Sequence, residues 1–198
     1  MGRETDNWPF VKAKYFTPVP LHSPRKVRVI VVHDMEFPER LTAAEDVAHY
    51  FATLNEKDAH GHPIQKSAHV CVDTNSVVQC VHDRDVAYAA PGCNGDGIQI
   101  ELAGYIRQTR EQWLDEYGQG LFNVAANVIA QYLVKFDLLP VHLTDEQLAN
   151  GDRGIVGHDQ VSRVYKRSTH TDPGPNFPWD ILIEKVGPLY AKRLNPLA

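Results

Sequence analysis

The hydrophobic positions along the chain fall into a few distinct rhythms. "VRVIVVHD" (27–34) is a nearly unbroken run of apolar, β-branched residues, which predicts a strand buried on both faces with His33 near its C-terminal end. "TAAEDVAHYFATLN" (42–55) places Val47, Tyr50, Phe51 and Leu54 on one helical face, and Thr42 with Glu45 reads as a capping box. "SAHVCVD" (67–73) and "VVQCVHD" (77–83) predict a hairpin around Thr74-Asn75-Ser76. "IQIELAG" (98–104) alternates as a strand that carries Glu101. The longest helix is expected over 119–137, where Leu121, Val124, Ala125, Val128, Ile129, Tyr132, Leu133 and Phe136 recur at helical spacing. "GIVGHDQVS" (154–162) predicts a short strand or turn around His158, and "WDILIEKV" (179–186) a last helix. The elements together imply an α/β fold, a mixed central β-sheet flanked by helices. Residues 1–26, rich in proline and polar residues, read as an irregular lead-in to one domain over 27–190, with 191–198 as a tail.

Composition narrows the classes of function. The 198 residues, 43% of them hydrophobic and 23% charged, suit one globular domain with a real core. A net charge of -5 gives no electrostatic case for nucleic acid. No apolar run approaches the roughly 20 residues of a membrane helix, so no membrane insertion is expected. The first residues, "MGRETDNWPF", lack the basic-then-apolar layout of a secretory signal. Three cysteines (Cys71, Cys80, Cys93) make neither a disulfide framework nor a zinc finger. A two-residue turn at Asn75-Ser76 would set Cys71 opposite Cys80 across the hairpin, and a pair of small buried thiols is preferred there over a disulfide.

Ten histidines in a chain of this length prompt a search for metal or acid–base chemistry. His33 stands where a buried strand meets solvent, a place that holds a ligand rigidly. His158 follows Gly157, which would let the backbone turn sharply. In "STHTDPGPNFPW" (168–179), Pro173 biases Asp172 towards an extended backbone, so His170 and Asp172 share a face. Two histidines and one carboxylate form a three-ligand zinc set with a fourth position for water, whose pKa falls to about 7 there. Glu101 is the one acidic residue of an apolar strand: facing the site it can move a proton, and facing solvent it does nothing. His60 and His62 in "DAHGHPIQ", His82, His22, His49 and His142 read as polar or surface positions. "GCNGDG" lacks the residues of a phosphate cradle.

Assembled in order, these segments resemble the zinc-dependent N-acetylmuramoyl-L-alanine amidases, the family of the phage lysozyme-type amidases and the peptidoglycan recognition proteins. "VIVVHD", "SAH", "CNGDGIQIEL", "GHDQVS" and "THTDPGPNFPW" match its motifs over roughly residues 27–185. The resemblance implies one Zn²⁺ per chain held by His33, His158 and Asp172. It also implies Glu101 as acid–base residue, His170 as the oxyanion partner, and His69 and Asn94 as substrate contacts. Two departures are expected near the substrate groove: Ala89 stands where a histidine is common, and Gln99 replaces the glycine of Ile-Gly-Ile-Glu.

The implied activity is hydrolysis of the amide between N-acetylmuramic acid and L-alanine in peptidoglycan. As a phage endolysin the protein would be made in the host cytoplasm and reach the wall after release. It would act as a monomer that can be linked to other lysin domains. A cytoplasmic recycling amidase is the nearest alternative. A non-catalytic recognition module is a further one, although non-catalytic relatives lose a zinc ligand and this chain keeps all three.

Overall fold

Strand β1 (Val29–Asp34) lies inside a five-stranded sheet of order β3-β2-β4-β1-β5, in which it runs parallel to both neighbours. The computed structural model describes residues 8–195; the outer ends of the expected lead-in and tail lie outside the described residues. In chain order the elements after β1 are α1 (Ala43–Thr53), β2 (Val70–Val72), β3 (Val77–Gln79), β4 (Gly97–Leu102), α2 (Arg110–Trp113), α3 (Glu116–Phe136), α4 (Asp145–Asn150), β5 (Gly154–Gly157), α5 (His158–Tyr165) and α6 (Trp179–Leu194). Strand β2 is parallel to β4 and antiparallel to β3. This is the mixed α/β sheet the sequence predicts. Among the described residues no helix is long and apolar enough to cross a membrane.

Both faces of the sheet are covered, which is why β1 reads as a continuous apolar run. Ile30 and Val32 share one face with Ile98, Ile100 and Leu102, and pack under Leu121, Phe122, Ala125 and Ile129 of α3 and Leu182 of α6. Val29 and Val31 face the other way, towards Val156 and Val161 of β5 and α5. On that second face α1 covers Cys71, Val78 and Cys80. At its C-terminal end the second face turns polar. There the register aligns His33 with Glu101, and Glu101 with Cys71.

Several local expectations change. The Thr42–Glu45 capping box does not form, because the Thr42 hydroxyl donates to the Asp46 carboxylate instead, at 2.9 Å. The hairpin pairs Cys71 with Val78, two positions away from the predicted register. Asp73 accepts from the backbone N–H groups of Asn75 and Ser76, at 2.9 and 2.7 Å, and so builds a loop of four residues instead of two. Cys71 and Cys80 nonetheless remain free thiols, diagonal neighbours with sulfurs 3.8 Å apart. Helix α3 starts earlier than predicted because the Asp115 side chain caps it, accepting from the Gly118 N–H at 2.9 Å. Helix α2, capped by Thr109, and helix α4, capped by Thr144, are additional. His158 belongs to no turn: it opens helix α5 directly after β5. Helix α6 continues to Leu194, into the expected tail.

Among the described residues of the lead-in (8–26) there is no helix or named strand, yet the segment is anchored at several points. Lys14 donates to the Leu54 carbonyl at 2.8 Å, the Val19 N–H to Asp85 at 2.9 Å, and the Arg25 guanidinium to the carbonyls of Asp83 and Gly97, each at 2.8 Å.

Candidate active site

The polar end of the second face gathers three side chains from distant parts of the chain. His33 is the last residue but one of β1, and its Nδ1 lies 2.9 Å from Asp172 Oδ2. His158 sits at the junction of β5 and α5 with Nδ1 3.1 Å from Asp172 Oδ1. Asp172 arrives on the loop before α6, where its carbonyl accepts the Asp159 N–H at 2.8 Å and ties the loop to α5; the Asp172–Pro173 bond is cis. Gly157 serves this junction by its size, not by the sharp turn expected of it. Its φ is an ordinary -91°, but a Cβ there would press on Asp159, Pro173 and Trp179.

The ligand atoms of His33, His158 and Asp172 all lie within 4.8 Å of one another, and all three residues are buried. Asp172 Oδ1 is buried without a well-formed hydrogen bond although His158 Nδ1 is close by, so the groups aim at a common point more than at each other. Two imidazoles and a carboxylate so disposed fit a divalent metal of the zinc type with a position left open. The electrostatics agree. Burial opposes a charge on His33, yet its hydrogen bond to Asp172 and the negative charges of Glu101 and Asp172 raise it to about 9. Burial likewise opposes ionisation of Asp172, but the close imidazoles of His158 and His170 and the hydrogen bond with His33 hold its carboxyl well below the usual range.

Glu101 lies 9% exposed on the floor of the same cavity, so it faces the site. Burial lifts its carboxyl to about 7, with His33 pulling the other way. His170 stands at the rim with 65% of its side chain exposed. Its Nδ1 is 3.4 Å from Asp172 Oδ1, and its ring stacks on that of His158 at 4.6 Å. It therefore flanks the group of His33, His158 and Asp172 without joining it. Sequence reasoning missed Asp34, which also lines the cavity. One of its carboxylate oxygens is buried without a partner, and burial raises the group to about 8. Its place directly after His33 was the only available signal.

The cavity holds about 1150 Å³. Val47, Tyr50 and Phe51 of α1 wall one side, Tyr88, Ala89 and Asn94 a second, and Ser168–Asp172 a third. Asn94 is where a substrate contact was expected, although its Oδ1 is committed to the N–H groups of Ala89 and Ala90, at 3.1 and 2.7 Å. His69, also expected as a substrate contact, does not line the cavity. It is fully buried, its Nδ1 accepts the Gln99 N–H at 2.9 Å, and its Nε2 lies 3.1 Å from the Asp85 carbonyl. Gln99 is also fully buried, behind His33 and away from the groove. Ala89 does line the groove. His142, read as a surface residue, is stacked on Trp179 at 3.9 Å and bonded to Gln160.

The model of the N-acetylmuramoyl-L-alanine amidase family (Amidase_2) matches residues 23–175, so the chain belongs to that family and is a hydrolase. Solved structures share the fold at low identity. The Staphylococcus aureus hydrolase AmiA, solved with its ligand, is 16% identical with a TM-score of 0.71, over 99% of this chain and 89% of that one. AmpD is 19% identical with a TM-score of 0.61, over 92% and 96%. The Clostridium intestinale endolysin amidase LysCS is 16% identical with a TM-score of 0.54, over 92% and 98%. No curated protein sequence matches the chain.

Proposed function

We propose that this amidase is zinc-dependent, that it cuts the bond between N-acetylmuramic acid and L-alanine, and that it lyses cell walls as a phage endolysin. The observation that carries the reading is the His33–His158–Asp172 group on the floor of a cavity that also presents Glu101. Zinc bound there would polarise the scissile carbonyl and acidify the attacking water. Glu101, its carboxyl poised near neutrality by burial, takes the proton of the water and delivers it to the departing alanine nitrogen. His170, exposed beside Asp172, donates a hydrogen bond to the oxygen on which charge develops. A cavity this large exceeds what a small metabolite needs and suits a glycan carrying its stem peptide. The endolysin role is supported by the likeness to LysCS.

Purified sacculi and soluble muropeptides, digested in parallel with mass analysis, test the reading. Stem peptides beginning with L-alanine, released from sacculi, are expected. Turnover of soluble fragments alone would move the role to muropeptide recycling, and intact sacculi with bound protein would make the chain a recognition module. Metal analysis should find about one zinc per chain, lost in His33→Ala and Asp172→Ala.

A further inference from the structure

We propose that Gln99 is a positioning residue for the metal centre: its side-chain carbonyl fixes the His33 ring so that Nδ1 is the nitrogen offered to the cation. The proposal rests on the reading of His33 as a ligand and goes beyond it, to the residue that sets which ring nitrogen ligates.

The geometry fixes the proton on one nitrogen of the His33 ring. Gln99 Nε2 lies 3.1 Å from the Cys93 carbonyl, which can only accept, so the amide must place its NH₂ there. Its Oε1 then faces His33 Nε2 at 2.9 Å and can only accept in turn. His33 therefore keeps a proton on Nε2, so the nitrogen it can offer a cation is Nδ1, on the side where Asp172 stands, 2.9 Å away. A metal-bound histidine is commonly held through its second nitrogen in this way, which fixes the ring and raises its basicity.

The surroundings serve this contact. The fully buried His69 clamps the backbone of Gln99 from the neighbouring strand: it accepts the Gln99 N–H on Nδ1 at 2.9 Å and donates its own N–H to the Gln99 carbonyl at 3.0 Å. A Cβ at position 97 would lie 2.8 Å from Gln99 Nε2 and 2.5 Å from the Cys93 carbonyl, so Gly97 clears the space the amide occupies.

Zinc affinity measured by chelator competition in the parent, Gln99→Met and Gln99→Glu tests the proposal. Methionine fills the space without an acceptor and should weaken zinc binding about 10–100-fold, whereas glutamate keeps the acceptor and should stay close to the parent. Nitrogen-15 spectra of the zinc-loaded parent should show His33 protonated on Nε2 and metal-bound through Nδ1, a readout that needs no variant to fold. Metal on Nε2, or a folded Gln99→Met that binds zinc as tightly as the parent, would overturn the proposal while leaving His33 a ligand. A parent that takes up no zinc would overturn the metal reading together with it.

Discussion

From Ile98 to Leu102, strand β4 alternates between two environments that ask opposite things of a side chain. Ile98, Ile100 and Leu102 point into an apolar layer sealed by the long helices α3 and α6. Gln99 and Glu101, the residues between them, point to a face where buried polar groups meet short helices and loops. The first face gains from every atom removed from water. The second keeps the carboxyls of Glu101 and Asp172, three histidines and an amide out of water, at a cost that only hydrogen bonds or a cation can offset. Stability and chemistry are thus separated by one residue of the same strand.

Glu101→Gln should break the comparison on the chemical side alone. It is expected to lower kcat by about 10²–10⁴-fold while zinc content and melting temperature hold, as assays and calorimetry of one preparation would show. Ile100→Ala is the reciprocal change. It should cost about 2–5 kcal/mol in denaturant unfolding and leave the kcat of the folded enzyme close to the parent value.

A pH series sharpens the contrast further. Burial and the Arg25 charge push His69 down to about 3, so the folded protein keeps it neutral where the unfolded chain, titrating near 6.5, binds a proton. Stability must therefore fall as pH drops through that window, by about 3 kcal/mol at pH 4 from this group. His69→Gln should show a correspondingly shallower loss in acid unfolding; an unchanged slope would mean that His69 is not held neutral.

The smallest expected effect concerns the short helices. Thr144→Ala removes the cap of α4, whose Leu148 packs in the cluster beneath β5, and should cost about 1 kcal/mol by thermal melting.

What the sequence made legible follows the same division. The apolar face was readable because burial imposes a period: the run Val29–Val32 and the stripe of α3 are patterns that only packing produces. The grouping of His33, His158 and Asp172 was readable because their motifs follow a family order. The hairpin register was not, since the side chain of Asp73 decides it by enlarging the loop. Nor was the start of α5, where the four-residue strand β5 passes straight into a helix without a polar linker to mark the change. The positions of His69 and Gln99 were misjudged for a related reason. Each has its place fixed by a contact from another segment (Cys93 and His33 for Gln99, Asp85 for His69), which no local pattern records.

The lead-in has a practical consequence. Pro9, Val11 and Ala13 hydrogen-bond along β3, the outermost strand: the Val11 N–H donates to the Gln79 carbonyl at 2.9 Å, the Gln79 N–H to Pro9 at 2.8 Å, and the Ala13 N–H to Cys80 at 2.9 Å. The region matched to the family begins only at residue 23. A protein trimmed to that region would present an unpaired strand edge to its neighbours in solution, so edge-to-edge aggregation, more than loss of catalysis, is the failure to expect from the shortened chain.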